Sequence, residues 1–300
     1  MANRFGDNRH FIQKALIQHF SSRGGGILLD RFGGRQQLSP RSVYCGSQLF
    51  PDNVEAAIHD IEKHISRVFP IHLDSESFDM RQHLFSYVRL AHRGGYSVLP
   101  RVLVSAAVLL LFSTFSRTQP LFFFSDARPE DGFPRFRETS DGKLEMAVAR
   151  SLWEDSMSAL IVRLDKLSAY IADLEQLERA GLGAGLFTLK DPVLALSDNP
   201  VLYISPGSGK VLPASCLGND PQPGDTLVLP VTPERLLVIY WKKPALSALE
   251  RQSAWPEWIT RNAFMQIYLP ARLESLYQPL QSDIAQYFST IYAELRQTSD

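Results

Sequence analysis

Few side chains in this sequence combine a reactive type with a setting that suggests chemistry. His10 is foremost. Its neutral imidazole is a candidate general base, because the ordinary histidine pKa lies near working pH. It stands in Asn8-Arg9-His10-Phe11-Ile12-Gln13, ahead of Leu16, His19 and Phe20. Arg9 suits a phosphate, which a guanidinium meets with paired N–H donors. Far along the chain, Leu196-Ser197-Asp198-Asn199-Pro200-Val201 supplies a carboxylate and an amide. Asp198 could orient the imidazole or bind a metal. Asn199 and Asn262 could donate hydrogen bonds to a developing oxyanion or to phosphate. Each candidate also has a purely structural reading. Asp-Asn-Pro is an ordinary turn, since Asp and Asn bond their own backbone and Pro fixes φ. A histidine at a helix start often has only a structural role.

Other reactive patterns fail on spacing. Gly207-Ser208-Gly209-Lys210 lacks the glycine that a phosphate loop needs at position 204, where Ile204 stands, and no Ser or Thr follows Lys210. It reads as a hairpin turn. Gly181, Gly183 and Gly185 follow a predicted helix rather than a strand, so they are no dinucleotide fingerprint. His59 and His64 lie about 140° apart around a helix, and His83 and His92 fall on opposite faces. No metal site is expected. No GxSxG elbow marks an α/β-hydrolase.

The elements that must position these residues can be read from periodicity. Asn8 to Phe20 suggests a short amphipathic helix. Ile27 to Arg31 and Arg35 to Leu38 flank Phe32-Gly33-Gly34 as a β-hairpin. Asn53 caps a helix whose Val54, Ile58, Ile61, Ile65 and Val68 share one face. Ser75 to His92 is a second helix. Val102 to Phe112 is uncharged. A membrane span needs about 20 apolar residues, so Leu99 to Phe115 reads as a buried core helix, with membrane insertion its rival. Pro120 to Asp141 reads as a loop. Gly142 to Ala180 carries the longest helical signal. Its Leu160, Leu164, Leu167, Ile171 and Leu174 stripe serves core packing or a homodimer contact. Short strands follow at Leu186–Leu189, Val193–Leu196, Val201–Ile204, Lys210–Pro213, Thr226–Pro230 and Leu236–Trp241. Glu257 to Tyr277 is expected to be a helix kinked at Pro270. Ser282 to Arg296 is a last helix.

The predicted fold class is therefore α+β: a helical middle packed with a small mixed or antiparallel sheet formed by N-terminal and C-terminal strands. One domain spans 1–300. It divides into a basic start (1–52), the helical middle (53–182), a β-rich segment (183–245) and C-terminal helices (246–300).

Composition narrows the class. The 300 residues are 45% hydrophobic and 11% aromatic, which excludes a disordered chain. The net charge of −1 excludes a generally basic nucleic-acid binder. That total averages two unlike parts. Residues 1–52 hold seven basic and three acidic side chains, a local +4 that contains His10 and suits phosphate or a solvated face. Two cysteines, Cys45 and Cys216, stand without metal or redox spacing, and no apolar leader opens the chain. A cytoplasmic location is expected.

The His10 and Asp198 segments, with Leu229-Pro230-Val231-Thr232-Pro233-Glu234-Arg235-Leu236 after them, resemble the family known as domain of unknown function 4238. Its pattern opens with His-aromatic-aliphatic-Pro and a short helix. A strand pair, a helical middle, a Ser-Asp-Asn-Pro turn and a Pro-Leu-Thr-Pro-type strand follow. The resemblance runs in order over about residues 8–280. Gln13 stands where the family carries proline. Asn262 is similar to an Asn near the family's end. The resemblance implies a bacterial antiphage protein that harms the infected cell in response to a phage-derived trigger. It adds His19 and Asn262 to Arg9 as binding candidates, beside His10, Asp198 and Asn199 as catalytic ones. The substrate expected on chemical grounds is nucleic acid or a nucleotide. The rival is a non-enzymatic sensor of a phage component.

Overall fold

The computed structural model describes residues 9–10, 12, 14–46, 95–100, 135–138, 144–147, 179, 181–206, 208–214 and 222–287, and single positions between 103 and 118. The predicted helices over 53–68 and 75–92, the 160–174 stripe and Cys216 lie outside these residues.

Strand outnumbers helix in the described chain. The N-terminal strands are β1 (Arg9–His10), β2 (Gly26–Asp30), β3 (Arg35–Leu38) and β4 (Cys45–Gly46). The middle holds β5 (Gly95–Val98), β6 (Arg135–Glu138) and β7 (Leu144–Ala147). Then come β8 (Leu182–Thr188), β9 (Leu196–Ser197), β10 (Leu202–Ile204), β11 (Val211–Pro213), β12 (Thr226–Thr232), β13 (Arg235–Trp241) and β14 (Gln266–Leu269). The larger sheet runs β11-β10-β12-β13-β8-β5 and the smaller β3-β2-β14-β9, every pairing antiparallel. The smaller sheet thus joins N-terminal strands to β9 and to β14, the latter in a segment expected to be helical.

The larger sheet owes its burial to apolar runs. Every residue of β12 is buried, and so are the first five of β13. Such unbroken apolar strands belong in a core. Gly183 and Gly185 do not end a helix but lie inside β8, a correction with a steric cause. A Cβ on Gly183 would stand 2.4 Å from the Tyr240 ring, and one on Gly185 2.4 Å from the Tyr96 ring. The two rings meet edge to face, 6.1 Å between centroids, over the space the glycines leave.

The Phe32 hairpin forms as predicted, with Ile27 opposite Gln37 and Leu29 opposite Arg35. Three other expectations are corrected. The first helix is confined to Lys14–Gln18, and Arg9–His10 is instead paired with Cys45–Gly46. Leu144–Ala147 is not helical. It pairs with Arg135–Glu138, which sets Arg137 opposite Glu145 in register. The predicted helix over 257–277 is a helix at Trp255–Asn262, then β14, then short helical turns at Ala271–Leu273 and Glu274–Tyr277. Pairing with Leu28 and Leu29 on one side and Leu196 and Ser197 on the other outweighs the local helical pattern.

Leu103, Val104, Ala107, Val108, Leu110 and Leu111 are helical and buried, in keeping with the core-helix reading. Among the described residues no helix is long and apolar enough to cross a membrane.

Candidate functional site

Asp198 follows directly on β9, and its backbone N–H extends the ladder to the Gln266 carbonyl at 3.2 Å. Its carboxylate then turns onto the segment between the Trp255–Asn262 helix and β14. Oδ1 accepts the N–H of Phe264 at 2.7 Å. Oδ2 accepts those of Met265 and Gln266 at 2.8 and 3.1 Å. A continuing helix would spend these N–H groups on carbonyls four residues earlier. Their capture by Asp198 is what lets the helix stop and the strand begin. Asp198 is 3% exposed. Burial pushes its pKa up to about 7, against the opposing pull of the backbone N–H groups.

The neighbouring Asn199 reaches the end of the same helix. Its Nδ2 donates to the Asn262 carbonyl at 2.9 Å, and the Asn262 Nδ2 donates to the Trp258 carbonyl at 2.8 Å. Both amide oxygens are buried with no hydrogen-bond partner among the described residues. A buried acceptor left unpaired costs about 1–3 kcal/mol. Two of them in one linked pair of amides are suited to a donor brought by something else: an N–H, an O–H or an ammonium. Three sequence-nominated residues, Asp198, Asn199 and Asn262, are therefore brought together.

Tyr44 ties the N-terminal segment to this cluster, a residue the sequence reading missed. It is buried, adopts a left-handed φ of 52°, and donates its hydroxyl to the Leu196 carbonyl. Burial raises its pKa well above the usual tyrosine value, and the nearby Asp198 charge adds to the shift. Its neighbour Cys45 pairs with His10 in the β1–β4 ladder, and Gly46 pairs with Arg9. The His10 backbone is thus one ladder step and one residue from Tyr44. The side chains of Arg9 and His10 lie outside the described residues. His19 is half-buried just beyond the Lys14–Gln18 helix, with its N–H on the Leu16 carbonyl at 3.1 Å. A second missed residue is Tyr277, wholly buried, whose hydroxyl donates to the Val193 carbonyl at 2.7 Å and accepts the Ala195 N–H at 3.0 Å. It fixes the approach to β9. The signal for both was a lone tyrosine amid apolar or helical residues, which does not announce a distant partner.

The predicted hairpin turn between β10 and β11 is present in the described residues around Ser208–Lys210. Ser205 N–H donates to the Lys210 carbonyl at 3.0 Å, and Gly209 takes a φ of 60°. A cleft of about 660 Å³ opens elsewhere, beside Lys190, Glu234, Glu250 and Gln252, with none of the nominated residues in its lining. Among the described residues no group of three or more His, Cys, Asp or Glu side chains could hold a metal ion.

Compared with protein-family models, curated proteins and solved structures, the chain matches none.

Proposed function

We propose that this protein is a bacterial antiphage effector of the domain-of-unknown-function 4238 type, acting in the cytoplasm on nucleic acid or a nucleotide and thereby harming the infected cell. The observation that carries the reading is the convergence of Asp198, Asn199 and Asn262 on one buried polar cluster with two unpartnered amide oxygens. In this reading His10 is the general base. The amide oxygens of Asn199 and Asn262, buried in this structure, would accept donors of the substrate once it enters. Asp198, whose two oxygens already hold three N–H groups, acts as a positioning residue for Asn199. Arg9 and His19 meet phosphate. A phage-derived component triggers the activity. A homodimer through the 160–174 stripe belongs to the same proposal.

Infection of cells carrying the protein, with survival followed beside total RNA, DNA and nucleotide pools, tests this reading. Death of infected cells with degraded nucleic acid or depleted nucleotides supports it. Intact pools in protected cells contradict it.

A sensor reading rests on β5. This strand ends the larger sheet among the described residues, with Val98 64% exposed. An edge strand can accept a strand from a phage protein. Recovery of one phage protein from infected cells, with nucleic acid and nucleotides intact, would favour it over the effector reading.

A further inference from the structure

Phe32 is 75% exposed, more than any other large apolar side chain among the described residues. Single exposed apolar residues are ordinary. This one differs in how firmly it is displayed. Asp30 Oδ1 accepts the N–H of both Phe32 and Gly34 at 2.9 Å. The Gln281 Nε2 donates to the carbonyls of Asp30 and Gly34, both at 2.8 Å. Gly33 takes a φ of 88°, and a Cβ on Gly34 would stand 2.1 Å from Asp30 Oδ2. The tip therefore needs both glycines, and its conformation is set before anything binds. Little entropy remains to be lost on binding.

The surroundings of the ring indicate what it meets. The Arg31 guanidinium lies over the ring, 5.2 Å from its centroid. β3 beside it exposes Arg35, Gln36 and Gln37. The Arg35 guanidinium is paired with the Glu274 carboxylate through two hydrogen bonds, so its charge is offset, and Arg31 is the cation set against the ring. A protein-docking patch would gather apolar side chains around an aromatic anchor. Here the anchor is framed by arginine, glutamine and glycine. An exposed aromatic face with a guanidinium beside it is an arrangement that stacks an unpaired base while attracting its phosphate.

We propose that the β2–β3 hairpin is a docking platform for single-stranded nucleic acid, with Phe32 stacking on a base and Arg31 engaging the adjoining strand. The proposal rests on the nucleic-acid form of the reading above and names the substrate class of that form. Phe32 and Arg31 are binding residues rather than catalytic ones.

Fluorescence anisotropy with labelled oligo(dT), oligo(U) and a blunt duplex of equal length tests it, using the whole chain over a salt titration. The single strands are expected to bind more tightly than the duplex. Phe32→Ala should weaken single-strand binding about 5- to 100-fold, and Phe32→Trp should retain it. Arg31→Ala should weaken binding and flatten its salt dependence. Phe32 buries little, so both Phe32 variants should melt with the wild type. Absence of wild-type binding, equal binding of duplex, or wild-type affinity in Phe32→Ala would overturn the platform. Loss of phage protection in Phe32→Ala without any strand binding by wild type would assign Phe32 to a protein contact and equally overturn it. These results leave the effector reading to be decided by the infection experiment, so the two can fail separately.

Discussion

The Asp198 carboxylate accepts the backbone N–H of Phe264 at 2.7 Å across 66 positions of sequence. With the Met265 and Gln266 bonds it closes the turn that delivers β14 between β2 and β9. One side chain thus joins the nominated Asp-Asn-Pro turn to the end of the helix that carries Asn262.

Removing that carboxylate should cost stability first. Asp198→Asn sets an NH2 group against N–H donors that the carboxylate now accepts. Chemical denaturation should show a loss of about 2–4 kcal/mol. Asp198→Ala should lose more.

The same carboxyl gives a signed pH dependence. Its pKa is raised from 3.8 to about 7 by burial. Between those values the unfolded chain has released its proton while the folded chain keeps it. The folded state then binds more protons, so stability falls as pH rises through this window. Asp198→Asn lacks this titration. The stability gap between wild type and variant should therefore narrow from pH 4 towards neutrality in paired denaturation curves. A gap that widens would contradict the raised pKa.

Tyr277→Phe should destabilise by about 1–3 kcal/mol, because the Val193 carbonyl and the Ala195 N–H lose the same hydroxyl in a buried site. Thermal melting measures this directly. The substitution touches neither amide of the polar cluster, so a folded Tyr277→Phe protein should keep its activity.

Gly185→Ala tests the steric account of β8. The new methyl would fall 2.4 Å from the Tyr96 ring and force it away from Tyr240. A loss of about 1–3 kcal/mol is expected from overpacking. The double variant Gly185→Ala, Tyr96→Ala should recover part of that loss.

Much of the sheet architecture was legible from local pattern. The Phe32-Gly33-Gly34 turn and the runs at Thr226–Pro230 and Leu236–Trp241 announce themselves through turn residues and unbroken apolar stretches. β14 was not legible. Ile267, Tyr268 and Leu269 continue an apolar helical pattern up to Pro270. What makes them a strand is pairing with residues more than two hundred positions earlier in β2 and some seventy earlier in β9. The Asp-Asn-Pro turn was visible as a turn. Its reach to Phe264 and Asn262 was not, because no local spacing encodes which distant N–H groups a carboxylate will face. Tyr44 was overlooked for the same reason: its left-handed backbone and its bond to Leu196 depend on the assembled sheet.

The most direct test of the central claim is the efficiency of phage plating on cells carrying wild type, His10→Ala, Asn199→Ala or Tyr277→Phe, at a temperature where circular dichroism shows all four proteins folded. The account predicts that wild type and Tyr277→Phe protect, while His10→Ala and Asn199→Ala do not. No protection by wild type, or full protection by both the His10 and Asn199 variants, would contradict it.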